Sequence, residues 1–248
     1  MLTLRRAKER RLVRRRRQEV WSTFPHRTQS GLHEDGFGIL EELSENRLPP
    51  GAVVAPRTLE EAEVVTYVLS GALAQEDSAG RSRVVQAGEF QRMITGRQVH
   101  TSERNASQLD WAHIFRLYLH PATSGLDGSP AQKLFSVAER RGALCVVASP
   151  DGRSGSLRIH PDVRICSAIL DPGQHLVHEL APGRRAWLHV VRGEVTIGDL
   201  VLATGDGVGV DVTAEPSVSF TAREESEILL VDLGAPPPEP PSSRVPAQ

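Results

Sequence analysis

The stretch GAVVAPRTLEEAEVVTYVLSGALAQEDSAG (residues 51–80), continued by QAGEFQRMITGRQVHTSE (86–103), decides the fold. Leu48-Pro49-Pro50-Gly51 forms a rigid turn at its entrance, because proline fixes φ and glycine accepts the left-handed region. The run Glu63–Leu69 is dense in β-branched and aromatic side chains, which suit a pleated, half-buried surface, and Ser70-Gly71 ends it. Gly88-Glu89 marks a turn into a second short run through Met93. Two successive β-hairpins follow from this spacing, belonging to a small barrel whose inward side chains meet in a pocket.

Working outward, WAHIFRLYLHP (111–121) is a further strand, stopped by Pro121, and ATSGLDGSPAQKLF has the Gly/Ser/Pro composition of a linker. The second half is a series of short β runs: KLFSVAERRG, ALCVVAS, GSLRIHPDVRICSAIL, HLVHELA, AWLHVVRGEVTI, LVLATGDGVGV, SVSFTA and EILLVDL. Val190–Val195 followed by Ala203–Gly207 echoes Val68–Leu73 followed by Gln86–Phe90. Such an internal repeat implies two similar barrels in one chain. The expected class is all-β, with one barrel in residues 1–125 and another in 126–235. The Pro-rich end, 236–248, is expected to be a disordered tail. Between Trp21 and Asn46 the chain is loop-rich, with Asp35-Gly36 as a turn into a strand; His26 and His33 stand there as single surface histidines.

The 248 residues carry a formal net charge of -2, so the molecule as a whole is no generic polyanion binder. Lysine occurs only at Lys8 and Lys133, the other basic residues being arginine. Cys145 and Cys166 each lie in an apolar run and read as buried free thiols. No apolar run approaches the roughly 18 residues of a membrane span, and the N-terminus lacks the apolar core of a signal peptide. A soluble, cytoplasmic protein without membrane contact is expected. Residues 1–20 concentrate positive charge: MLTL alternates like a strand, and ERRLVRRRRQEV suits a short polar helix or a mobile arm. Arg14, Arg15, Arg16 and Arg17 are candidates for weak contact with a nucleic acid or another polyanion; no aromatic residues interleave them as in a stacking platform. The alternative is a solvated basic segment.

The motifs TYVLSGAL, the EDSAG turn, QAGEFQRM, VASPDGRSGSLRIHPD, PGRRAWLHVVRGEV, LATGDGVGV and EILLVDL, taken together, resemble those of the pirins. The resemblance implies a bicupin, two jelly-roll barrels of the RmlC-like cupin type, whose N-terminal barrel holds one iron through three histidines and a glutamate. Several members are described as quercetin 2,3-dioxygenases and the animal member as a nuclear transcriptional co-regulator. The family's HPHRDMEIVTYVLEG falls on Arg57–Gly71, so two histidine ligands become Arg57 and Leu59; its HSE falls on Thr101-Ser102-Glu103. Only Glu103 of the four ligands is kept. His100 comes one place early, which in a strand means the opposite face.

Leucine has no lone pair to offer and arginine is a permanent cation, so the expectation is a chain without bound metal, in which Arg57 pairs with Glu103 or Glu63. Glu61 and Glu63 are expected beside the pocket. The second barrel's matching segment, Gly183–His189, has no His-x-His, and His160, His175 and His178 are read as structural or surface residues. The expected function is non-catalytic binding of a small molecule or a protein, with no cofactor. The alternative is a quercetin 2,3-dioxygenase-type enzyme using iron at a rearranged site of Glu61, Glu63, His100 and Glu103.

Overall fold

The structure is a computed structural model and describes residues 2–24, 36–54, 62–77, 80–95, 101–121, 123, 129–211 and 216–234. His26, His33, Arg57, Leu59, Glu61, His100 and the tail 236–248 lie outside the described residues, as does the side chain of Thr101.

Nearly every element is a strand. The first half contains β1 (Leu2–Arg5), β2 (Arg11–Arg15), β3 (Gln18–Phe24), β4 (Leu40–Leu48), β5 (Val53–Val54), β6 (Ala62–Ser70), β7 (Ala72–Asp77), β8 (Ser82–Gln86), β9 (Glu89–Thr95), β10 (Thr101–Asn105) and β11 (Ala112–Leu119). The second contains β12 (Ala131–Leu134), β13 (Cys145–Ser149), β14 (Leu157–Arg158), β15 (Val163–Leu170), β16 (His175–Glu179), β17 (Arg185–Arg192), β18 (Glu194–Ile197), β19 (Leu200–Ala203), β20 (Gly207–Asp211), β21 (Ser217–Ala222) and β22 (Ser226–Leu233). A short helix, α1 (Val137–Arg140), interrupts what the sequence suggested was one β run through KLFSVAERRG. The reason is local: Ser136 accepts from the Glu139 amide while the Glu139 carboxylate reaches back to the Ser136 amide, a capping box that starts a helix.

Each half folds into a seven-stranded and a four-stranded sheet. The first pair runs β12-β9-β6-β11-β4-β3-β2 and β5-β10-β7-β8; the second runs β1-β20-β17-β22-β15-β13-β14 and β16-β21-β18-β19. The orders correspond strand for strand around the barrels: β9, β6, β11 and β4 match β20, β17, β22 and β15. Gly71 and Gly193 hold the same joint in the two halves, both with positive φ. A Cβ at either would collide with the start of the neighbouring strand, at Trp111–Ala112 in one barrel and Glu225–Ser226 in the other. The repeat read from the sequence is therefore a repeat of topology.

Residues 9–20 form neither the expected polar helix nor a loose arm: between β1 and β2 there is a single 3-10 turn at Ala7–Glu9, and the rest is a strand hairpin. β1 leaves its own half and pairs with β20, Leu2 opposite Val210 and Arg5 opposite Gly207. β12 makes the reciprocal move, pairing with β9. The two barrels thus exchange edge strands across the expected division at 125/126. Both unpaired edges are covered in the process.

Three cores result. One apolar cluster lies between the barrels and joins Phe24, Val65, Tyr67, Phe90, Phe115 and Leu117 to Phe135, Val147, Ile165, Trp187, Leu229 and Val231. A second fills the interior of the C-terminal barrel. The N-terminal barrel has smaller apolar clusters around Val68 and Ile114 and around Val64 and Tyr118. Cys145 borders the inter-barrel cluster and Cys166 belongs to the second core; both are free thiols. They point to opposite faces of one sheet, and burial pushes Cys166 up to about 12. Among the described residues no helix is long and apolar enough to cross a membrane.

The seam also carries buried charge. The Arg140 guanidinium, placed by α1, donates to Glu227 at 2.6 Å and to the Tyr67 hydroxyl at 2.9 Å, and Tyr67 donates to Glu227. Burial, with the adjacent Glu227 charge, raises the Tyr67 hydroxyl well above the ordinary phenol range. Tyr67→Phe removes a hydrogen bond to a charged group and leaves the ring packed on Phe90. A loss of about 1.5–3 kcal/mol is expected in urea unfolding; a loss below ~0.5 kcal/mol would mean that Arg140 and Arg192 satisfy Glu227 without the hydroxyl.

Candidate functional site

The interior of the N-terminal barrel is where the two halves differ in chemistry. On β6, Val64, Thr66 and Val68 point into the barrel, while Glu63, Val65 and Tyr67 point to the seam, as strand alternation requires. On β11, Ile114, Arg116 and Tyr118 point inward. The register aligns Ser44, Arg116, Thr66 and Gln91 as one row across four strands of the large sheet. Facing it from the small sheet is the pair Gln75 and Glu103.

Hydrogen bonds link the two walls. Arg116 Nη2 donates to Glu103 Oε2 at 2.6 Å, Gln75 Nε2 donates to Glu103 Oε1 at 2.9 Å, and Gln91 Nε2 donates to Gln75 Oε1 at 2.7 Å. Both carboxylate oxygens of Glu103 are therefore engaged, and a cation sits on one of them. Ser44, Thr66, Gln75, Gln91 and Arg116 are buried. Two polar atoms of this interior, Gln91 Oε1 and Asn46 Nδ2, have no hydrogen-bond partner among the described residues.

The repeat supplies an internal comparison. Counting from Gly71 and Gly193, and from Gly88 and Gly205, Thr66 matches Leu188 and Gln91 matches Val208. The register then matches Arg116 with Leu230, Ser44 with Cys166, Gln75 with Ile197 and Glu103 with Phe220. All six residues of the second barrel belong to its apolar core. The C-terminal barrel has an apolar core; its partner keeps a polar level between two mixed ones, which carry Asn46 beside Ile114 and Val68 and Glu42 beside Tyr118 and Val64.

Several sequence expectations change here. Glu103 is inside the barrel as expected, with Arg116 on it; Arg57, the partner expected from the sequence, lies outside the described residues. Glu63 is not beside the pocket: it lies on the seam side of β6, accepts from the His160 amide at 3.0 Å and faces Arg92 at 3.6 Å. His160 thereby acquires a structural role across the seam. His175 and His178 lie on strand β16, bonded to Thr221 and Asp232 respectively. Arg14 is tied to Glu19 at 3.0 Å on the neighbouring strand. Among the described residues no three His, Cys, Asp or Glu side chains group as metal ligands. Reading missed Arg116, Gln75 and Gln91. The signal that finds them is the repeat itself: each is polar where its counterpart is apolar.

Two consecutive jelly-roll barrels with a polar level in the first define a bicupin. Comparison with known proteins gives the same class from the sequence. The pirin family model matches residues 8–119, and that of the quercetinase C-terminal cupin domain matches 146–233. A quercetin 2,3-dioxygenase of Escherichia coli (strain K12) is 32% identical over 233 residues, covering 94% of this chain and 99% of that protein. A pirin-like protein of Caulobacter vibrioides is 27% identical, covering 79% and 84%. The crystal structure of the bacterial pirin YhhW of E. coli in complex with nickel(II) superposes with a TM-score of 0.86 at 31% identity, covering 95% of this chain and 100% of that one. The chain belongs to the pirin family.

Proposed function

We propose that this pirin binds a small, neutral, hydroxyl-bearing molecule in its first barrel and does so without a metal ion. The observation that carries the reading is the engagement of Glu103 on both oxygens, by Arg116 and by Gln75. A metal at the family position would need that carboxylate, and would need it beside a guanidinium that cannot give up its charge. The matching positions Arg57 and Leu59 offer no suitable donor, so the donor set does not fit the family's iron. Arg116 supplies instead the positive charge that balances Glu103. A pair that is already neutral favours an uncharged ligand, which Gln91 Oε1 and Asn46 Nδ2 can hydrogen-bond as acceptor and donor. The name carried by the E. coli relative points to polyhydroxylated flavonols as the first molecules to try.

Elemental analysis of protein produced in iron- and nickel-supplemented medium, purified without chelator, is expected to find well under one metal per chain. Thermal-shift measurements on the same sample with quercetin should raise the melting temperature without added metal. Stoichiometric metal would overturn the reading in favour of a rearranged dioxygenase site. Conversely, Arg57→His, Leu59→His and Thr101→His together should bind metal poorly while Arg116 holds Glu103, and adding Arg116→Gln should raise occupancy toward one.

A further inference from the structure

The basic segment has a shape that its sequence did not suggest. β2 and β3 form a hairpin, Arg15 opposite Gln18, with Arg16 and Arg17 as its two-residue turn. Both turn residues have left-handed φ, 47° and 69°. This is the backbone of a type I′ turn, whose favoured pair is Asn-Gly. Side chains with a Cβ are disfavoured there, and backbone strain of this kind concentrates at functional sites. Two arginines in succession occupy the most protruding position of the hairpin at a cost to local stability.

Their charges are also free. Arg11, Arg15, Arg16 and Arg17 are exposed and make no ion pair with any described residue, whereas Arg14 is held by Glu19. Residues 1–20 contain nine of the 29 Lys+Arg side chains and two of the 31 Asp+Glu, in a chain whose net charge is -2. Arg5, Arg6 and Arg10 are not exposed, and Arg6 and Arg10 are further consumed by Asp206 and Glu45. Apart from the exposed Lys8 and Arg11 at the base of the hairpin, the unspent positive charge of this segment is thus gathered at the hairpin tip.

We infer that this tip docks on the phosphate backbone of double-stranded nucleic acid. The hairpin is the edge of the seven-stranded sheet, with β3 paired to β4 from Glu19 to Phe24, so its turn meets the duplex at the phosphates, whose oxygens guanidinia recognise with paired N–H donors. The tip has no aromatic or aliphatic side chain to insert into a bilayer: its residues are Arg14-Arg15-Arg16-Arg17-Gln18. It also offers no stacking ring for a single strand. The contact is electrostatic and independent of base sequence.

The test uses the intact protein and a short fluorescein-labelled DNA duplex in fluorescence anisotropy across a salt series. With Arg15, Arg16 and Arg17 each neutralising one phosphate, affinity should fall about 40-fold between about 50 and 200 mM salt. Arg16→Asn with Arg17→Gly removes two charges while installing the preferred turn pair. This variant should melt at least as high as the parent, yet lose only about 3-fold affinity over the same salt range and bind more weakly throughout. Arg16→Lys with Arg17→Lys should keep the salt dependence, because it keeps the charge. Duplex binding that is absent, insensitive to salt, or unchanged in the Asn-Gly variant would overturn the inference. Preference for phosphatidylserine vesicles or for an acidic polypeptide over the duplex would overturn it too. None of these changes touches Arg116 or Glu103, so the outcome is separate from that of the proposed ligand site.

Discussion

Replacing Arg116 by leucine is expected to destabilise the protein by about 3–5 kcal/mol, the usual consequence of removing one partner from a buried ion pair. Arg116 and Glu103 are both largely buried, with side-chain exposures of 7% and 15%. Without the guanidinium, Glu103 keeps only the Gln75 amide and stays in a barrel that offers little solvation. The pair itself need add nothing net, since desolvating two charges offsets their attraction. Arg116→Leu combined with Glu103→Leu should therefore recover most of the loss, approaching the apolar filling that Leu230 and Phe220 give the second barrel. Arg14→Ser, which breaks an exposed pair with Glu19, serves as control and should change stability by at most about 0.5 kcal/mol. Urea unfolding of the parent and the three variants decides it. If Arg116→Leu is as mild as the control, Glu103 has another source of compensation and the charge argument against a metal fails.

The second large effect is a dependence on pH. His189, the counterpart of Tyr67 in the repeat, is buried in the seam, and neither ring nitrogen has a hydrogen-bond partner among the described residues. Burial, reinforced by the nearby positive charge of Arg10 and opposed by Glu45 and Asp206, lowers it from 6.5 to about 3. The unfolded chain then binds a proton between those values that the folded chain does not. Stability is accordingly complete above about pH 6.5 and declines as the pH falls toward 3, by about 2 kcal/mol at pH 5. His189→Leu should remove that part of the decline. Glu45 acts at lower pH: burial alone would raise it, but the His113 hydrogen bond and Arg10 hold it down to about 2. Its contribution is present above its ordinary range and is lost toward pH 2. Unfolding free energies of parent and variant at pH 5, 6, 7 and 8 separate the two; parallel curves would show that His189 titrates normally.

The barrels were legible because their hairpins are written locally. β-branched runs, Gly71, Gly88 and their echoes at Gly193 and Gly205 fix strand, turn and repeat without any long-range information. Glu103 was legible through the family likeness alone. Its partner was not, because which side chain crosses the barrel depends on register between strands far apart in sequence. Arg116 reads as one charge in the apolar run AHIFRLYL, and only alignment with Thr66 and Gln91 shows it facing Glu103. Glu63 was misplaced for a related reason: both faces of β6 are buried, so alternation of apolar and polar residues cannot say which face is which. The hairpin of β2 and β3 was hidden by its turn. Arg16-Arg17 lacks the glycine or asparagine that would announce it, and a run of arginines reads equally well as helix or coil.

The exchange of β1 and β12 bears on how the chain is made. Arg6 bonds to Asp206, 200 positions later, so β1 finds its sheet only after the second barrel has been made. During synthesis the early barrel has the residues for its own interior but not β12, and it trails a basic overhang with nowhere to pair. Closing such distant contacts is slow, and an uncovered edge invites pairing with a neighbouring chain. Completion of the second barrel ends that exposure twice over, taking up β1 and delivering β12. Removing either exchanged strand should consequently be felt in the opposite barrel: loss of residues 2–5 would bare β20, and a nascent chain halted before residue 131 would leave β9 open to capture by another copy.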